Sequence, residues 1–197
     1  RIGVMASGSG SNVEALHEAT VQGRLDASLC LLIVNNPECG ARERSARLQI
    51  PCQLIDHRRH QTRESLDHAL VSAFQAADVE AVVMAGWMRI VTPVLIDAFP
   101  GRLINLHPSL LPAFKGLNAV GQALASGVRI TGCSVHHVQE DVDSGTVIAQ
   151  AAVPVNDSDD VKSLTERIQK QEHRLLPWAT ALAGMQWRHN GSAVVHG

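Results

Sequence analysis

The sequence predicts an α/β domain with a doubly wound, mostly parallel sheet and flanking helices, and three observations carry that prediction. Apolar runs rich in β-branched residues alternate with stretches of helical spacing through the first half of the chain. Repeated β-α units of this kind imply a parallel sheet. With 197 residues, 45% of them hydrophobic and 18% charged, the chain suits one core, so residues 1–197 are expected to form a single domain.

The strands are expected at Ile2–Ala6, Leu29–Val34, Cys52–Ile55, Ala81–Met84 and Leu103–Leu106. Between them Val13–Val21, Ala41–Leu48, Arg63–Ala76 and Pro93–Phe99 carry helical spacing. Two further strands, Ile130–Val138 and Thr146–Pro154, flank the polar loop 139–145 and are expected either to pair antiparallel or to diverge. After Asp157, the stripe Val161, Leu164, Ile168 and Leu175 predicts a long helix toward Leu182, which Pro177 is expected to kink or split. The tail after Trp187 is expected to fray.

Charge and cysteine usage narrow the function. A formal net charge of -2 without a block of like charges argues against the broad basic face that binds nucleic acid or an anionic membrane, so any phosphate is bound locally. The four cysteines, Cys30, Cys39, Cys52 and Cys133, lack the spacing of a zinc site or redox pair and read as reduced, mostly buried thiols. No apolar run reaches the roughly 18 residues of a membrane span, and the N-terminus, which starts at Arg1, does not read as a secretion signal. A cytoplasmic location is expected.

Three segments carry candidate chemistry. Ser7-Gly8-Ser9-Gly10-Ser11-Asn12 joins the first strand to the first helix, where glycines permit a sharp turn and helix-start N–H groups suit a phosphate. Ser11 and Glu14 have capping-box spacing. The segment matches neither the dinucleotide nor the P-loop motif, and a plain tight turn is the alternative. In 105–112, NLHPSLLP, Asn105 and His107 alternate with Leu106 and so face one side at the carboxyl end of a central strand, where open sheets bind ligands. The alternative is a histidine satisfied in the core. The acidic loop 139–145 offers Asp143 as a partner able to favour the charged form of a histidine, against a solvated turn or a calcium loop, although it lacks EF-hand spacing. Arg63 and Arg89 could hold an anion or meet solvent. Trp87 and Met88 could wall a flat ligand or belong to the core, and Glu172 and His173 default to an exposed helix face.

Taken together, GSGSN at 8–12, AGWMRI at 85–90, NLHPSLLP at 105–112 and DVDSG at 141–145 resemble the folate-dependent glycinamide ribonucleotide formyltransferases in order and spacing, from Ile2 to about Leu182. The resemblance implies a Rossmann-like fold and a transfer of formyl from 10-formyltetrahydrofolate, as co-substrate and without metal, to the amine of glycinamide ribonucleotide in purine biosynthesis. It implies Asn105, His107 and Asp143 as the catalytic set. It assigns Gly10, Ser11, Asn12, Gln169, Lys170, Gln171 and Glu172 to the acceptor. Arg63, Met88, Arg89, Ile90 and Val91, with Asn105 and the loop residues Gln139, Glu140, Asp141, Val142 and Asp143, fall to the folate, the two arginines facing its glutamate carboxylates. The partners are then two small molecules, with neither nucleic acid nor membrane, and the protein a monomer or homodimer. Two departures stand out: Trp87 where the family commonly has Phe, and Val120 where it usually has His. In the implied reaction a His107 imidazolium and the Asn105 amide stabilise the oxyanion formed by amine attack, while Asp143 pairs with the histidine. A folate-dependent hydrolase and a non-catalytic nucleotide-binding module are the other readings.

Overall fold

A computed structural model of the protein describes the backbone of residues 1–192 and the side chains through Trp187. Its sheet has seven strands: β1 (Ile2–Ala6), β2 (Leu29–Val34), β3 (Cys52–Leu54), β4 (Ala81–Met84), β5 (Leu103–His107), β6 (Ile130–His137) and β7 (Val147–Pro154), in the spatial order β3-β2-β1-β4-β5-β6-β7. The first five strands run parallel, whereas β6 pairs antiparallel with β5 and β7 antiparallel with β6. The strand order reverses at β1, which has β2 on one side and β4 on the other, and such a switch point leaves a crevice at the carboxyl edge.

Helices α1 (Ser11–Val21), α2 (Gly40–Arg47), α3 (Arg63–Ala76), α4 (Pro93–Ala98), α5 (Ala119–Ala125) and α6 (Val161–Ser192) cover the two faces. Alternation along each strand divides the core in two. Val4 and Ala6 of β1 and Val83 of β4 pack with Leu16 of α1 and Ile168 and Leu176 of α6, while Met5, Val82 and Met84 face Leu70 and Phe74 of α3 and Leu95 of α4. Burial on both sides explains why these strands read as continuous apolar runs.

Three local expectations are corrected. The capping box at Ser11 and Glu14 does not form: Gly10 occupies the cap in a left-handed conformation, and Glu14 instead pairs with Arg44 and Arg47 of α2. Pro177 does not split α6, which continues to Ser192. The missing N–H of Pro177 is tolerated because Leu175, Leu176, Ala179 and Ala183 on either side are buried, so packing outweighs one lost helical bond. The third is a pair of omissions, α5 and a short 3-10 turn at His57–Arg59. The expected fraying meets a backbone that stays helical to Ser192; residues 193–197 lie outside the described residues.

Candidate active site

A cavity of about 970 Å³ opens at the carboxyl ends of β1, β4 and β5, with α6 along one wall. Its floor starts at the turn after β1. Gly10 has φ +79°, and a Cβ there would lie 2.5 Å from the Cα of Ala41, so glycine is required both by conformation and by the approach of α2. Gly10, Ser11 and Asn12 line this end, joined by Gln169 and Glu172 of α6, and the Asn12 amide donates to Glu172 Oε2 at 2.9 Å.

Beyond β4 the chain forms a wall held at both ends. The Met88 N–H donates to Ser7 Oγ at 2.9 Å, and the buried Asp67 carboxylate of α3 accepts from the Thr92 N–H at 2.6 Å and from its hydroxyl at 2.8 Å. Between these pins Trp87 and Val91 are buried, whereas Met88, Arg89 and Ile90 are exposed. Arg63, first residue of α3, also lines the cavity. Neither Arg63 nor Arg89 is bonded through its side chain to any described residue. The indole Nε1 of Trp87 is buried without a partner, and the wall carries two guanidinium groups available to a ligand.

The opposite side is densely bonded. His107, at the end of β5, directs Nε2 to the Phe114 carbonyl at 2.8 Å and Nδ1 to Asp143 Oδ2 at 3.2 Å. The Phe114 carbonyl thus faces one ring nitrogen and the Asp143 carboxylate the other, which fixes the orientation of the ring. The Asn105 amide donates to His136 Nε2 at 3.2 Å and to Asp143 Oδ1 at 3.4 Å, and the Gly116 N–H donates to Asp143 Oδ2 at 2.9 Å. Register explains the meeting, because His136 of β6 stands directly opposite Asn105 of β5.

Asp143 reaches this point through an unusual loop. Its own φ is +50°, and a Cβ on Gly145 would lie 1.7 Å from the His137 carbonyl oxygen, so the loop folds back onto β6 only with glycine there. The solvated turn is therefore wrong for Asp143, whose side chain is only 7% exposed, although it describes Glu140 and Asp141. Burial pushes the Asp143 carboxyl up, but contact with His136, the Gly116 N–H and the charge of His107 hold it below the ordinary carboxylate range. Glu172 goes the other way: burial raises it and the single Asn12 bond only partly opposes that. Burial and the charge of Glu172 push the nearby Cys133 thiol up to about 12; all four cysteines are free, but only Cys39 and Cys133 are buried.

Of the predicted site residues, Asn105, His107, Asp143, Gly10, Ser11, Asn12, Gln169, Glu172, Arg63, Met88, Arg89, Ile90, Val91, Gln139, Glu140, Asp141 and Val142 all line the cavity. Lys170 and Gln171 do not, because residues 165, 168, 169 and 172 share one helical face and the two between are turned from it. Glu172 is buried rather than on an exposed face. His136, Gly116 and Phe114 were missed; the only hint was the His136-His137 pair preceding the acidic loop, and nothing local announced their partners. Val120 lines the cavity and is buried. Among the described residues no group of three or more His, Cys, Asp or Glu side chains is arranged to hold a metal ion, and no helix is long and apolar enough to cross a membrane.

The formyl transferase family matches residues 1–180. The phosphoribosylglycinamide formyltransferase of Bacillus subtilis is 37% identical over 177 residues, covering 90% of this chain and 91% of its own length. The human trifunctional purine biosynthetic protein adenosine-3 is 40% identical over 92% of this chain, which spans only 18% of that protein's length. The crystal structure of glycinamide ribonucleotide transformylase 1 from Symbiobacterium toebii superposes with a TM-score of 0.90 at 42% identity, covering 92% of this chain and 85% of the other.

Proposed function

The chain belongs to the formyl transferase family, and we propose that it transfers the formyl group of 10-formyltetrahydrofolate to the primary amine of glycinamide ribonucleotide, a step of purine biosynthesis. The observation that carries this reading is the convergence of Asn105 and His107 on the buried Asp143, in a cavity with a glycine turn at one end and two unpaired arginines at the other. A phosphate suits the first end, where the start of α1 presents free N–H groups, and carboxylates suit the second. The apolar wall that Trp87, Ile90 and Val91 give the cavity fits a flat heteroaromatic ring.

Attack of the acceptor nitrogen on the formyl carbon places negative charge on the formyl oxygen and positive charge on the nitrogen. The Asn105 amide, whose 3.4 Å contact with Asp143 is the longer of its two, can turn that hydrogen to the oxygen. His107 is fixed between the Phe114 carbonyl and the Asp143 carboxylate, and in its imidazolium form its positive charge opposes the charge on the oxygen. Asp143 holds that ring in place and, being an anion, attracts the proton that the nitrogen must lose on its way to the departing folate nitrogen. Positioning supplies much of the remaining rate.

The test is turnover of 10-formyltetrahydrofolate, followed by folate absorbance, with and without glycinamide ribonucleotide. Turnover is expected only with the acceptor. Equal turnover without it identifies a hydrolase instead.

A further inference from the structure

The turn before α1 is held from behind by α2, and the mechanism uses none of the residues that hold it. Gly8, Ser9, Gly10, Ser11 and Asn12 all line the large cavity, whereas no described residue of α2 does. The two segments nonetheless touch: a Cβ on Gly40 would lie 3.0 Å from the Ser9 carbonyl oxygen. The N–H of Ala41, one of the donors that a helix start leaves without an internal partner, donates to the Gly8 carbonyl at 3.1 Å. Three residues on, along the same helical face, Arg44 donates from Nε to the Ser9 carbonyl at 2.9 Å.

These two bonds set two successive peptide planes. In a trans peptide the carbonyl and the following N–H point in opposite directions. With the Gly8 and Ser9 carbonyls turned to α2, the N–H groups of Ser9 and Gly10 are turned to the cavity side, and neither bonds to any described residue. Asn12 Oδ1, on the first turn of α1, is likewise buried without a partner, and Asn12 lines the cavity, so this end is built to meet a ligand. Arg44 is itself anchored. Glu14 accepts from Arg44 and Arg47, and the two guanidinium groups, Arg47 foremost, hold its carboxyl below the ordinary range. An anion thus matches the charge of Arg44, and what Arg44 supplies to the turn is a direction.

We propose that Arg44, anchored by Glu14, is a positioning residue for the acceptor: by drawing the Ser9 carbonyl toward α2 it keeps the Gly10 N–H aimed at the acceptor's phosphate. This rests on the functional reading above, which brings that phosphate to the turn.

The experiment is steady-state kinetics with glycinamide ribonucleotide, beside calorimetric titration with tetrahydrofolate, in the parent, Arg44→Met, Arg44→Lys and Glu14→Ala. In Arg44→Met the KM for glycinamide ribonucleotide is expected to rise about 10-fold, the scale of one misdirected bond to a charged group, with a smaller fall in kcat and a tetrahydrofolate Kd within about 2-fold of the parent's. Arg44→Lys, which keeps a donor and the charge, is expected to recover part of the loss. Glu14→Ala decides the sign. Were Arg44 only a positive charge near the phosphate, deleting its neighbouring anion would lower KM; a positioning role requires KM to rise, by about 3-fold for a partly exposed anchor. That arm leaves Arg44 in place and stands even where Arg44→Met folds poorly. An unchanged KM in Arg44→Met, a lowered one in Glu14→Ala, or a parallel loss of tetrahydrofolate binding overturns the positioning role alone. Absence of turnover with glycinamide ribonucleotide in the parent overturns the functional reading and this proposal with it.

Discussion

Asp143 and Glu172 are both buried carboxylates lining one cavity, yet their environments move them in opposite directions. Asp143 stands among two imidazoles, a side-chain amide and a backbone N–H. Glu172 receives one bond from the neutral Asn12 amide. The difference shows that partners, not burial, decide whether a buried acid is a standing anion. A carboxylate surrounded by donors is preorganised machinery, ready before any ligand arrives. One left with a single neutral partner has capacity to spare for a ligand donor, and the acceptor's amine and hydroxyl groups are the donors our functional reading brings to that end.

The largest expected effect comes from making Asp143 neutral. Asp143→Asn keeps the shape and removes the charge that orients His107, so kcat should fall about 10²- to 10³-fold, the cost typical of losing a preorganised electrostatic group. Dissociation constants for folate and acceptor should change by less than about 3-fold, since the charge matters most in the transition state. Single-turnover kinetics beside equilibrium binding makes the check; preserved turnover would make Asp143 a loop residue only.

A milder change moves Asp143 toward the condition of Glu172. His136→Asn deletes one imidazole, and a loss of about 10-fold in kcat is expected for removing one member from a surviving network. The pH profile is the sharper readout. A carboxyl held low in the folded protein keeps its contribution above the ordinary carboxylate range and loses it as pH falls through the depressed value. Without His136 the carboxyl rises, so the acid limb attributable to Asp143 should shift to higher pH. An acid limb that stays in place would remove His136 from the network.

This network was only partly legible in the sequence, whereas most of the fold was plain. Ile2–Ala6, Leu29–Val34 and Ala81–Met84 stood out because burial on both faces leaves an uninterrupted apolar run. Helix α5 was not recognised because 116–127 begins and ends in glycine and holds a third at Gly121, and because seven residues show too little periodicity. His136 depends on the register between β5 and β6, which no local pattern states. Lys170 and Gln171 show the opposite failure, a contiguous stretch assigned as a unit although a helix turns about 100° per residue and presents only part of it.

The same comparison extends to cations. Arg63 and Arg89, like Glu172, are left with unused capacity in the described structure, and a ligand anion would supply what the protein does not. Both are exposed, so solvent screens each contact and about 1 kcal/mol is expected for either loss. Arg63→Ala and Arg89→Ala should each weaken folate binding about 5-fold with little change in acceptor affinity. If acceptor affinity alone falls, the two ligands have been assigned to the wrong ends of the cavity.

The smallest expected effect concerns stability and turns on the sign at Glu172. Burial raises its folded pKa above that of the unfolded chain, so the folded state is favoured by this group at low pH and loses that advantage as pH rises through the folded value. At neutral pH an ionised Glu172 then costs stability, because the Asn12 amide is a weak substitute for water. Glu172→Gln keeps a carbonyl oxygen for Asn12 and discards the charge. Its Tm should exceed the parent's at pH 8, by about 2–4 °C for each kcal/mol recovered in a chain of this size. The gap should close near pH 4, where the parent's side chain is also neutral. Acceptor binding should weaken in the same variant, which separates a residue kept for a ligand from one kept for folding. A Tm below the parent's at pH 8 would mean that Glu172, like Asp143, already has the partners it needs, and the contrast between the two acids would be lost.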